Sequence, residues 1–264
     1  MSHAHHSDGG LLLFAVVTVM VAYELLAIAE RDWPRSRTLF FLTGGLLLVI
    51  GLTPEALPWP GGDFRTHMSQ HLLIGMFAPL CLVLGAPVTL LLRRLPRPAG
   101  RALGRLLHTR LVRVVAHPFP ALTLNLGGLA LLYLTPLYAV APHPLVHLHF
   151  LLAGYLFAWV VAGPDPAPRR PSVPARLVVL GVAIAFHAVL SQLMYAGVVG
   201  PPVAVAQRQG AAEIMYYGGD IAELLLAFAL VAGWRPRRAT TPDQRSQGTK
   251  TARTQSSFLS LNIR

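Results

Sequence analysis

Four histidines in this chain stand in two pairs with the same spacing, His67 with His71 and His143 with His147. On a helix, positions four apart lie one above the other, so each pair presents both imidazoles on one face. Imidazole is a strong ligand for copper, zinc and iron, and two such faces turned toward each other make a metal site. His149 follows two residues behind His147, and His187 lies alone in a later apolar run. Near His187 the chain carries Ser191 and Met194, and further on Met215, Asp220 and Glu223. Imidazole combined with the thioethers of Met68, Met194 and Met215 favours monovalent copper over hard cations. Each methionine alone is ordinary apolar filler, and a histidine at a helix mouth has water as its simplest partner.

The elements that must position these residues are membrane helices. The 264 residues are 54% hydrophobic and 12% charged, with a mean hydropathy of +0.54. A soluble globular domain carries about 25% charge. The sequence therefore reads as an all-α polytopic bundle of seven transmembrane helices. The apolar segments run over about 10–29, 39–52, from near 67 to 92, 118–141, 143–163, 175–199 and 211–234. The second is short for a span, and residues 72–92 contain no charge at all. The expected organisation is an external segment 1–9, a transmembrane domain 10–235, and a polar, disordered cytoplasmic tail 236–264.

The cations sort by side. Of the 22 Lys and Arg residues, all but Arg65 and Arg208 fall in the connections after the first, third and fifth segments or in the tail. The positive-inside rule then puts the N-terminus outside and the C-terminus in the cytoplasm. A cytoplasmic face resting on anionic lipid accounts for the net charge of +11 without nucleic acid. The Arg- and Leu-rich connection 95–118 reads as an interfacial amphipathic helix. All histidines except His108 and His117 lie opposite the cationic side or within the membrane, including His3, His5 and His6 near the start.

Depth sharpens the choice. By helix rise His187 is ~18 Å, Asp220 ~14 Å and Glu223 ~18 Å from the outer ends of their helices. Ionisable groups so placed face the bundle interior and mark a functional path. Asp220 or Glu223 is expected to orient a ligating imidazole through its second nitrogen, and a plain His187 to Asp220 hydrogen bond joining two helices is the simpler reading. Glu24 reads as a buried acid of the first span. Cys81, the single cysteine, lies too deep to join the mouth pairs. GxxxxGK[ST], HExxH and GxSxG are all absent, so no enzyme is indicated.

The third segment, His67-Met-Ser-Gln-His71 followed by Ala78-Pro-Leu and Leu84-Gly-Ala-Pro-Val88, resembles the CtaG-type cytochrome c oxidase assembly family. His143-Pro-Leu-Val-His147 and Gly163-Pro-Asp165-Pro resemble that family's next block, while Phe186-His187-Ala188 and Gly219-Asp220 fit more loosely. The resemblance implies a multi-pass protein of the bacterial plasma membrane that helps build heme-copper oxidase, with oxidase subunits and membrane lipid as partners. A second copy of the chain is a further candidate partner. The expectation is a copper carrier built on His67, His71, His143 and His147, with His149 and His187 as auxiliaries. A heme b electron-transfer protein, and a metal or proton transporter using His187, Asp220 and Glu223, are the alternatives.

Overall fold

The computed structural model describes residues 3–168 and 170–234, and every regular element among them is helical. The tail 236–264 lies outside the described residues, as do the side chains of His3, His5 and His6. Six helices are long and apolar enough to cross a membrane. In chain order the elements begin with α1 (His3–Ala29) and α2 (Arg35–Leu52), then α3 (Phe64–Leu72), α4 (Ala78–Leu84) and α5 (Pro87–Arg94). After them come α6 (Arg97–Leu107), α7 (Arg110–Val115), α8 (Pro118–Leu134), α9 (Leu137–Val140), α10 (His143–Ala162), α11 (Val173–Tyr195) and α12 (Val205–Ala232). The chain is a multi-pass membrane protein, and large apolar residues such as Phe14, Ile28, Leu152, Val178 and Phe228 point outward. Such exposure is costly in water and favourable in hydrocarbon.

The sixth and seventh spans shift at their ends, α11 stopping at Tyr195 rather than near 199 and α12 starting at Val205 rather than near 211, and three earlier spans depart as well. The second gains a turn by starting at Arg35, directly after Pro34, and reaches 18 residues. The fourth stops at Leu134, because Thr135-Pro136 ends the helix and a short α9 follows. At 17 residues α8 is shorter than the six candidate spans. The third is not one helix from 67 to 92. It spans Phe64–Leu84, with a π-helical turn at Leu73–Phe77 between α3 and α4. Pro79 has no N–H to offer the Gly75 carbonyl, and the extra residue of the π turn absorbs that loss.

The break after α4 is a built feature. Ala86 adopts φ 52°, the left-handed region that a non-glycine residue enters only under constraint. Pro87 then opens α5, and the fully buried Asp165 carboxylate caps that new N-terminus from across the bundle. It accepts from Val88 N at 3.1 Å, Thr89 N at 2.7 Å and Thr89 Oγ1 at 2.6 Å. A carboxylate satisfies free amides and complements the helix dipole there. The two motifs Leu84-Gly-Ala-Pro and Gly-Pro-Asp165 are thus two halves of one junction.

The segment Phe64–Leu84 is the core of the bundle, touching α2 on one side and α10 and α12 on others. Close approach needs small residues. A Cβ on Gly154 of α10 would sit 1.9 Å from the Gly75 carbonyl oxygen. Tyr23 stacks on Phe41 with ring centres 3.8 Å apart and donates to the Gly85 carbonyl at 2.7 Å, which ties α1 and α2 to the break.

One end of the bundle gathers arginine. Arg93 and Arg94 lie 3.6 and 3.8 Å from Glu30, and Arg94 also donates to the Ala29 carbonyl at the end of α1. Arg176 donates to the Val161 carbonyl at 2.9 Å, and Arg170 to that of Asp165 at 2.6 Å. Arg37 and Arg93 lie over the Trp33 ring. The connection 95–118 forms two helices rather than one, split where the Thr109 side chain accepts from Val112 N. Leu106 on α6 and Leu111 and Val114 on α7 are exposed there. Glu24 lies on the exposed face of α1 rather than buried, because the period that turns Tyr23 and Ala27 inward turns its neighbour out.

Candidate metal centre

The opposite end gathers histidine. Asp63 opens α3 as its N-cap, accepting from Arg65 N at 2.8 Å, and the Arg65 guanidinium holds the Asp63 carboxyl below its usual range. From that fixed start the 3.6-residue period turns His67, Met68 and His71 into the bundle, where all three are buried. His143 and His147 come from the first turns of α10, with His143 exposed at the rim and His147 partly buried. His187 is buried on α11.

The rings fall into two neighbouring groups, His67 with His143 and His147, and His71 with His187. His67 and His143 have ring centres 6.0 Å apart, His143 and His147 6.5 Å, and His71 and His187 6.4 Å. Two imidazoles flanking one ion, each nitrogen about 2 Å from it, have ring centres roughly 6 Å apart. Among the described residues, no three His, Cys, Asp or Glu side chains are grouped to hold an ion as they stand. The imidazoles are adjacent without forming a closed cage.

Their hydrogen bonding is incomplete in a specific way. His67 Nδ1, both ring nitrogens of His71, and His147 Nε2 are buried without a partner. Buried polar atoms are almost always satisfied, so such a concentration on three neighbouring rings requires a reason. His67 Nε2, in contrast, is hydrogen-bonded to the Tyr133 hydroxyl at 3.0 Å. Nδ1 of His187 donates to Glu223 Oε1 at 2.8 Å between two buried side chains, which leaves Nε2 as the imidazole's available lone pair.

The surroundings are apolar and sulfur-bearing. Met68, Met194 and Met215 are fully buried and belong to one cluster with Phe64, Tyr133 and Phe150. The Phe150 edge meets the His71 ring at 4.4 Å, and Tyr138 meets His67 at 4.9 Å. Glu223 has a second oxygen without a partner, beside a small cavity of about 30 Å³ that Asn125 and Gly75 also line.

Two expected members stand elsewhere. His149 packs on Gly128 of α8, its Nε2 where a Cβ of that glycine would be, and it is exposed. Two residues beyond His147 is about 200° around the helix, so it points away. Asp220 is partly buried on α12 but does not hold His187, a role taken by Glu223 three residues further on. Cys81 is partly buried on α4, the half of the span that follows the π turn.

Sequence reasoning missed Tyr133, Tyr138 and Phe150. A tyrosine near the end of an apolar run is indistinguishable from an interfacial anchor until the facing helix is known. Asp165, quoted for its motif, gave no sign that it would cap a helix on another segment.

Relatives of this chain occur in mycobacteria. It is 38% identical over 187 residues to uncharacterized proteins of Mycobacterium bovis and Mycobacterium tuberculosis, covering 66% of this chain and 28% of each relative. An uncharacterized protein of Mycobacterium leprae is 36% identical over 172 residues, 61% of this chain and 26% of that one. The chain thus spans little more than a quarter of the length of these relatives. No solved structure matches it. The profile of the cytochrome c oxidase caa3 assembly factor family, Caa3_CtaG, matches residues 12–237, from the first span to just beyond the last. That match takes in the histidine helices, the capped break and α12 together, and the chain belongs to the cytochrome c oxidase caa3 assembly factor family.

Proposed function

We propose that the chain is a non-catalytic carrier that takes copper into the histidine cluster and passes it to a heme-copper oxidase during assembly. Copper here is cargo. The observation that carries the reading is the set of unpartnered buried nitrogens on His67, His71 and His147. Neutral imidazoles in an apolar pocket with three thioethers near them suit a soft monovalent ion. Two donors on each side of a helix interface, with no closed cage, suit an ion that must leave again. Tyr133 on His67 and Glu223 on His187 are the partners that set which nitrogen of each ring faces the ion.

The heme alternative is weaker for a steric reason. Phe150 packs 4.4 Å from His71 and Tyr138 4.9 Å from His67, ring centre to ring centre, so a macrocycle would compete with them for room beside the rings. In our reading the histidine end faces the extracytoplasmic side of the bacterial plasma membrane and the arginine end the cytoplasm, with α8 as a seventh, short span. The recipient is an oxidase subunit whose copper ligands open on the same side.

The test is metal content of the purified protein after growth with copper, beside oxidase activity in the same cells. His67→Ala and His147→Ala are expected to lose copper and oxidase activity while the protein persists in the membrane. Full copper occupancy in both variants refutes the assignment.

A further inference from the structure

A second polar feature lies outside the histidine cluster, between α11 and α12. A cavity of about 340 Å³ opens there, lined by Ser191, Gln192, Tyr195, Glu213, Tyr216 and Tyr217. Gln192, Glu213, Tyr195 and Tyr217 are exposed, the last two at 43% and 65%. Among the described residues Glu213 has no salt-bridge or hydrogen-bond partner. Arg65 pairs with Asp63, whereas the Arg208 guanidinium packs over Gly197 and its buried Nε has no partner.

Three phenol rings around one carboxylate are the chemistry that receives an ammonium group, since ring faces attract a cation and the carboxylate neutralises it. Tyr216 and Tyr217 stand edge to face, 5.3 Å between centres. The level of the cavity also matters. It lies in the last turns of α11 and the third and fourth turns of α12, at the histidine end of the bundle. A bilayer places its headgroup layer near helix ends.

Beyond the cavity and the partly buried Asp220, the exposed side chains of these two helices are largely apolar. Val182 and Val189 on α11 and Ile221, Leu224 and Phe228 on α12 are exposed and continue toward the arginine end. A polar pocket that runs into an apolar track matches a headgroup followed by an acyl chain. A cavity of this volume takes a headgroup and not a helix. We propose that the α11–α12 cavity is a binding site for the ammonium headgroup of a membrane lipid, with phosphatidylethanolamine as its ligand.

The test uses the intact protein reconstituted in vesicles of phosphatidylethanolamine mixed with phosphatidylglycerol, extracted in mild detergent and assayed for retained lipid by mass spectrometry. The wild type is expected to keep phosphatidylethanolamine in preference to phosphatidylglycerol. Glu213→Gln and Tyr217→Leu should each lower that retention about fivefold, while Tyr217→Phe, which keeps the ring, retains it. Both substituted positions are exposed, so thermal unfolding should stay near that of the wild type. Equal retention of the two lipids, or unchanged retention in Glu213→Gln, overturns the proposal. So does a photo-crosslinker at Tyr217 that captures a co-expressed oxidase subunit instead of lipid. The site does not depend on copper: His67→Ala should keep its lipid even if the metal reading fails.

Discussion

The hydroxyl of Tyr133 on α8 lies 3.0 Å from Nε2 of His67 on α3, and both side chains are buried. The bond occupies one ring nitrogen and leaves Nδ1 as the only one of the pair without a partner. It holds the His67 ring from α8, an apolar helix of 17 residues that is shorter than the six candidate spans among the described residues.

Replacing Tyr133 by Phe keeps the ring in the cluster and removes only the hydroxyl. Copper affinity is expected to fall by roughly 10-fold, the usual cost of losing a group that orients a ligand. A competition titration against a chromogenic copper chelator reads this directly. Affinity equal to that of the wild type contradicts the orienting role.

The histidine pairs were legible because helical period is written in spacing, and positions four apart share a face whatever surrounds them. What spacing leaves open is which of two acids three residues apart meets a ring on another helix. Asp220 and Glu223 lie within one turn of each other on α12, and only the packing of α11 on α12 selects Glu223. His149 is the reverse case, since its offset from His147 already argued against a shared face. Gly85-Ala86-Pro87 is a sequence pattern that permits a local helix break, and the chain breaks there, although the uncharged run from 72 to 92 by itself looks the same whether it is one helix or two. The span lengths moved for local reasons, at Pro34 and at Thr135-Pro136.

Glu223→Gln is the matching change on the other side. It keeps the shape and removes the carboxylate that accepts from His187 Nδ1. Copper affinity should fall by about 10-fold, and combining it with Tyr133→Phe should give a loss near the sum of the two in free energy if the rings are oriented independently. A double variant no weaker than either single variant indicates that the two rings act as one unit.

Asp165→Ala removes the carboxylate that caps α5 and exposes three donors to an apolar interior. Stability should drop by about 2–3 kcal/mol, because charge-assisted bonds at a buried site are lost together. Thermal unfolding in detergent measures it. Copper bound per folded molecule should stay within about twofold, since the histidine cluster lies at the other end of the bundle.

Gly154→Ala tests the seating of α10 on the central span. The added methyl meets the Gly75 carbonyl oxygen at 1.9 Å, so the two helices must separate. That movement carries His143 and His147 away from His67 and His71. Unfolding temperature and copper affinity should both fall, with a cost of about 1–3 kcal/mol for overpacking. A variant that loses stability but binds copper as tightly as the wild type indicates that α10 does not supply ligands.

In the proposed carrier, the histidines of α3 share one soft ion with their neighbours. X-ray absorption at the copper edge, on protein loaded with monovalent copper, tests it most directly. Two or three imidazole nitrogens at about 2.0 Å are expected in the wild type, with loss of one of them and weaker binding in His71→Ala. A spectrum that shows only oxygen ligands, or one that His71→Ala leaves unchanged, contradicts it.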